Sequence, residues 1–208
     1  MIELRKGFLS SFCLIIFTLF LVFCSFNLEV QALSIKKNDE VLMPSYNYNT
    51  TASSFVRTGC KIRYCDIEKH SLLPSYEHYM QNISKNTKAI IVIHMQGMII
   101  KYIKKLKNFC KKNKIILIED GAPSLGTFID GKSVGSFGDF STFSFHETKN
   151  INSGEGGMLV CNDLNDYNIP YNSNIISFYI HNYTWDTPKY HTGFSWVCWC
   201  SLIYQYTK

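Results

Sequence analysis

From residue 37 onward, short apolar runs alternate with amphipathic stretches. Lys37-Asn38-Asp39 reads as a turn, and Glu40-Val41-Leu42-Met43 as a strand that Pro44 ends. Asn49 is placed to cap a helix running to about Thr58, where Gly59 stops it. Lys61 to Cys65 reads as a strand, and Pro74 to Asn82 as a helix with proline in its first turn. Ala89-Ile90-Ile91-Val92-Ile93 and Ile115-Ile116-Leu117-Ile118 are unbroken apolar runs, the pattern of strands covered on both faces. Between them, Ile100, Ile103, Leu106 and Phe109 recur at helical spacing among lysines from Lys101 to Lys114. Phe140 to Phe145 is another buried strand, followed by Gly154-Glu155-Gly156-Gly157 and a short strand, Met158 to Cys161. Strands alternating with helices of this length predict an α/β fold with a mostly parallel sheet and flanking helices.

The first 33 residues break the pattern. Arg5 and Lys6 precede an apolar run, residues 8–26, that fits a signal peptide or a membrane span. The competing reading is a strand over residues 15–22, a turn at Cys24-Ser25 and a short helix over residues 27–33. Asn49-Thr50-Thr51, Asn82-Ile83-Ser84 and Asn182-Tyr183-Thr184 are glycosylation triplets, common by chance in an asparagine-rich chain.

Composition changes this picture little. The 208 residues suffice for one large domain or two small ones. The net charge of +5 comes largely from the lysine run, which reads as a solvated helix face and not as a nucleic-acid stripe. None of the eight cysteines forms a C-x-x-C pair, so they read as reduced, with no metal site.

The candidate chemistry lies at strand ends. In open α/β sheets, ligands bind outside the carboxyl ends of the strands, and His94, Asp120 and Lys149 all fall there. Lys149 follows the aromatic strand, where poor solvation favours a free amine able to form a Schiff base with an aldehyde cofactor. Asp120 is a carboxylate at the sheet edge in need of a cation, or else a cap for the next helix. A lysine and an acid so placed suit pyridoxal phosphate, which needs an amine and a partner for its ring nitrogen. Ser144 could donate to a phosphate, as could a helix start near Ser25.

Four segments carry a family resemblance: Lys37 to Tyr46, Gly59 to Ile62 leading to Asp66-Ile67, Ile118-Glu119-Asp120-Gly121-Ala122, and Phe143-Ser144-Phe145-His146-Glu147-Thr148-Lys149 through Gly157. Across residues 34–163 the chain resembles the DegT/DnrJ/EryC1 sugar aminotransferases, which have the aspartate aminotransferase fold. The last segment is most similar to the branch that makes dTDP-4-amino-4,6-dideoxygalactose, and Asn182-Tyr183-Thr184-Trp185 resembles a later segment of that branch.

The resemblance implies a pyridoxal 5'-phosphate enzyme. It makes Lys149 the catalytic lysine that holds the cofactor and moves protons. It makes Asp120 the partner of the ring nitrogen, Ser144 a phosphate ligand, and Tyr48 the aromatic stacked on the ring. Ser25 falls near the family's phosphate-binding threonine. The implied reaction moves an amino group from an amino acid, glutamate being expected, to the 4-keto carbon of a dTDP-6-deoxyhexose. The setting would be synthesis of a bacterial surface polysaccharide of the enterobacterial common antigen type. The implied protein is a cytoplasmic homodimer that binds neither nucleic acid nor membrane.

The expected layout is an atypical start over residues 1–33, a cofactor-binding large domain over 34–165, and a truncated part over 166–208, without the C-terminal small domain. Pro123 stands where the family has a glutamine that bonds the ring hydroxyl, and Phe26 where it has a small residue near the phosphate. With the absent small domain, they leave a second expectation open: an inactive relative that does not hold the cofactor.

Overall fold

The computed structural model describes residues 35–152, 155–162 and 175–181. The expectations for residues 1–34, including Ser25 and the apolar run, lie outside them, as do the third glycosylation triplet, Trp185 and the last two cysteines.

Among the described residues, seven strands form one sheet in the order β2-β1-β3-β4-β7-β8-β9. They are β1 (Glu40–Pro44), β2 (Lys61–Cys65), β3 (Thr87–Ile93), β4 (Ile116–Asp120), β7 (Phe140–Ser144), β8 (Glu155–Cys161) and β9 (Ile175–His181). The first five in spatial order pair in parallel. β8 is antiparallel to both β7 and β9. A separate two-stranded hairpin, β5 (Phe128–Ile129) with β6 (Lys132–Ser133), leaves the sheet between β4 and β7. Its turn, Asp130-Gly131, has positive φ at both residues, which Asp-Gly adopts readily.

Both faces of the central strands are buried, as their unbroken apolar runs predict. Along β4 the side chains alternate. Ile116 and Ile118 join Val41, Met43, Ala89 and Ile91 beneath Phe55 of α1 (Asn49–Val56). Leu117 joins Leu42, Ile90 and Val92 on the other face, against Tyr79 of α2 (Tyr76–Asn82) and Ile103, Leu106 and Cys110 of α3 (Ile103–Asn113). The described cysteines, Cys60, Cys65, Cys110 and Cys161, are buried thiols.

The helix boundaries differ from the sequence reading for local reasons. α1 is preceded by Tyr48, not capped by Asn49, and no side chain caps it. It stops at Val56, and Gly59 then turns the chain with φ +77°. α2 starts at Tyr76 because Ser75 and His78 form a reciprocal capping box, which leaves Pro74 outside the helix. α3 buries Cys110 in its stripe while Phe109 is half-buried, and left-handed Lys114 ends it.

From β1 the chain moves to β2 on one side and then crosses to β3 on the other. The strand order thus reverses at β1 and β3, and the crevice of such sheets opens at the carboxyl ends there.

Candidate active site

β4 ends in two consecutive acids, and the period of two sends them to opposite faces. Asp120 lies on the α1 face and is 4% exposed. One carboxylate oxygen accepts from the Thr51 hydroxyl at 2.9 Å, the other from the Ala122 N–H at 3.1 Å. Both donors are neutral. Burial pushes the carboxyl above its ordinary value, against the pull of Ala122, Thr51 and the charges of Lys149 and His94. The Ala122 bond is a turn contact and caps no helix, because among the described residues β4 runs on to the β5–β6 hairpin. Among the described residues no cation bonds the carboxylate directly, although the charges of Lys149 and His94 act on it.

Glu119 lies on the other face and is fully buried. It accepts from the backbone N–H groups of Gly135 at 3.0 Å, Phe137 at 2.7 Å and Gly138 at 2.5 Å. His94 Nε2 meets it at 3.0 Å. Burial raises its carboxyl, but the bonds from His94, Gly138 and Gly135 more than offset that and hold it below its ordinary value. The His94 ring, expected near the chemistry from its place at the end of β3, therefore turns onto the Glu119 network. Its backbone N–H bonds the Asp120 carbonyl at 3.0 Å.

Lys149 lies five residues beyond β7, in a turn closed by its own N–H to the His146 carbonyl at 2.9 Å. Its side chain is half-buried, because a loop separates it from the strand exit where the sequence had put it. Its charge still acts on Asp120. Ser144 is buried at the end of β7, and its oxygen accepts from the His146 N–H at 3.3 Å, so its own O–H is available as a donor. Tyr48 immediately precedes α1, in the connection that follows β1, and is 61% exposed.

These residues fit pyridoxal phosphate at the sheet's carboxyl edge. A protonated ring nitrogen is the cation that a buried acid with two neutral donors lacks. Thr142, paired with Asp120 across β4 and β7, adds a buried hydroxyl without a hydrogen-bond partner. Pro123 sits inside the turn that Ser124 N–H closes onto the Gly121 carbonyl at 2.8 Å, and it supplies no donor to a ring hydroxyl.

Two contributors escaped the sequence reading. Thr51 appeared there only as part of a glycosylation triplet, yet its side chain is wholly buried and bonded to Asp120. The signal was available: Thr50, Thr51, Ser54 and Phe55 recur at helical spacing as the buried face of α1. Glu119 was read only as a neighbour of Asp120, although an acid at the end of an apolar strand must find donors somewhere.

Comparison with known proteins agrees with this geometry. The model of the DegT/DnrJ/EryC1/StrS aminotransferase family matches residues 25–171. GDP-perosamine synthase of Vibrio cholerae is 41% identical over 136 residues, covering 65% of this chain and 37% of that protein. The dTDP-4-dehydro-2,3,6-trideoxy-D-glucose 4-aminotransferase of Saccharopolyspora spinosa is 30% identical over 136 residues, covering 65% and 35%. The solved structure of a putative sugar aminotransferase from Streptococcus pneumoniae, in its PLP form, superposes with a TM-score of 0.62 at 27% identity, covering 69% of this chain and 40% of that one. The chain thus spans well under half the length of the relatives it matches.

Proposed function

Because the chain belongs to the DegT/DnrJ/EryC1/StrS aminotransferase family and has the fold of pyridoxal-phosphate-dependent aminotransferases, we propose that it carries the cofactor site of a sugar-nucleotide aminotransferase. The supporting observation is Asp120: a buried carboxylate at the sheet's carboxyl edge, bonded among the described residues to two neutral donors and within the field of Lys149.

The bound cofactor supplies an electron sink that withdraws charge from the carbon undergoing proton loss. Asp120 would pair with the ring nitrogen and favour its protonated form. Lys149 would hold the cofactor through its amine and, once displaced by the amino donor, would act as the base that takes and returns the donor's α-proton. Ser144 donates its hydroxyl to the phosphate, with Ser25 as a second donor from outside the described residues. Tyr48 would stack on the ring and shield one face from water.

The substrate reading is a nucleotide-activated 4-keto-6-deoxyhexose, with glutamate as the amino donor. Its finer form is the dTDP-linked sugar of a surface polysaccharide pathway. The two relatives' names carry GDP and dTDP respectively, so an assay must offer both. The working unit is proposed to be a cytoplasmic homodimer. Among the described residues no helix is long and apolar enough to cross a membrane, and residues 8–26 lie outside them.

Pro123 favours a second reading, a relative that no longer holds the cofactor. One experiment separates the two. Protein supplied with pyridoxal phosphate, glutamate and each keto sugar should yield amino sugar and 2-oxoglutarate in equal amounts, more with one nucleotide than the other. Cofactor binding without turnover would restrict the proposal to binding, and absence of binding would favour the second reading.

A further inference from the structure

We propose that Thr51 is a positioning residue that holds Asp120 ionised and aimed at the ring nitrogen, and that ties it to the β1–α1 connection carrying Tyr48. This rests on the proposed cofactor site and deepens it.

The observations are geometric. Thr51 uses both of its donors. Its hydroxyl donates to Asp120 Oδ2 at 2.9 Å, across 69 residues of sequence. Its backbone N–H donates to the Tyr48 carbonyl at 3.0 Å. One buried residue thereby joins the ring-stacking aromatic to the acid at the end of β4. The rotation of the Asp120 carboxylate is fixed from both sides, since Oδ1 is held by the Ala122 N–H. Of these two donors only Thr51 belongs to a different element, so only it relates the acid to the helix on the crevice side.

The hydroxyl also has an electrostatic effect. A neutral donor stabilises the carboxylate form of a buried acid. Lys149, from the loop after β7, and His94, from the end of β3, are the titratable groups that act on Asp120. The buried face of α1 adds Thr50, Thr51, Ser54 and Phe55, none of which titrates near neutrality. Loss of the Thr51 hydroxyl leaves Asp120 with one hydrogen bond and the same burial, and so favours its protonated form. A protonated Asp120 cannot pair with a protonated ring nitrogen.

The test reads Asp120 directly, with no cofactor present. The carbon-13 carboxyl resonance of Asp120 is followed against pH in the wild-type chain, Thr51→Val and Thr51→Ser. Thr51→Val keeps the shape and removes the donor, so its titration midpoint should move to higher pH. Thr51→Ser keeps the donor and should return it towards wild type. Pyridoxal phosphate affinity, read from visible absorbance, should fall about tenfold in Thr51→Val and recover in Thr51→Ser, as expected for a hydrogen bond to a charged group. The acid limb of binding should move upward with the carboxyl titration.

A midpoint in Thr51→Val equal to wild type overturns the proposal, whether or not the chain binds cofactor. Failure of wild type to bind cofactor, with the midpoint shift present, overturns the functional reading and leaves the electrostatic role of Thr51 standing. If Thr51→Val does not fold, Thr51→Ala is read in its place. If neither folds while Thr51→Ser does, Thr51 is a packing residue and the proposal fails.

Discussion

Glu119 and Asp120 are adjacent, both buried and both at the end of one strand, yet their surroundings differ in kind. Glu119 meets three backbone N–H groups and an imidazole. Its bonding saturates it, and it draws the 135–138 loop onto β4. Asp120 meets one hydroxyl and one N–H, and burial raises its carboxyl. The comparison separates an acid that serves the fold from an acid that the fold holds at some cost. A buried charge without a close cation persists where a ligand is to provide one.

If that division is right, the Glu119 side should dominate stability. Glu119→Ala leaves the Gly135, Phe137 and Gly138 N–H groups and His94 without their shared acceptor. It should destabilise by about 3–5 kcal/mol or prevent folding, as breaking a buried charged network does, measured by urea unfolding. The pH dependence has a defined sign. Glu119 is held below its ordinary value of 4.5, so its contribution is complete above that value. It is lost as pH falls through the lower folded value, and acid unfolding of Glu119→Gln should lack this component.

Gly138→Ala tests the same side with a smaller change. A Cβ there would lie 2.7 Å from the Phe140 carbonyl oxygen and 2.8 Å from that of Leu117, both backbone atoms that cannot swing aside. The expected loss is about 1–3 kcal/mol in thermal or urea unfolding, the usual cost of overpacking.

Asp120→Asn should behave in the opposite way. The folded carboxyl is raised above its ordinary value of 3.8, so its contribution is complete below that value and lost as pH rises through the folded value. At neutral pH the cofactor-free Asn variant should equal or exceed wild type in stability, with less pH dependence, while its affinity for pyridoxal phosphate collapses. A destabilised Asn variant that still binds the cofactor would remove the distinction between the two acids.

Tyr48→Ala should have the smallest effect on the fold. The ring is 61% exposed, so stability should stay within about 0.5 kcal/mol, while cofactor affinity falls. Equal cofactor binding in calorimetry would remove Tyr48 from the site.

Much of the framework is legible from apolar runs alone. β3 and β4 announce themselves because parallel strands are buried on both faces, which leaves the short unbroken apolar runs Ala89 to Ile93 and Ile115 to Ile118. The Ser144 to Lys149 segment carries the family likeness and lies within the stretch that the family model matches. The less legible features depend on contacts distant in sequence. Thr51 meets Asp120 across 69 residues, and no local pattern names that partner. The His94 ring goes to Glu119 because a saturated acid on that face draws it, which a strand-end position does not reveal. The β5–β6 hairpin did carry a local sign, Asp130-Gly131, at its turn.

The central claim is that Lys149, whose charge acts on the buried Asp120, holds pyridoxal phosphate. Borohydride fixes the cofactor to whichever lysine bears it, and peptide mass spectrometry then locates the added mass. The account predicts a single modified peptide, the one containing Lys149, in wild type, and no modified peptide in Lys149→Ala. Label absent from wild type, or carried equally by the variant on another lysine, would contradict it.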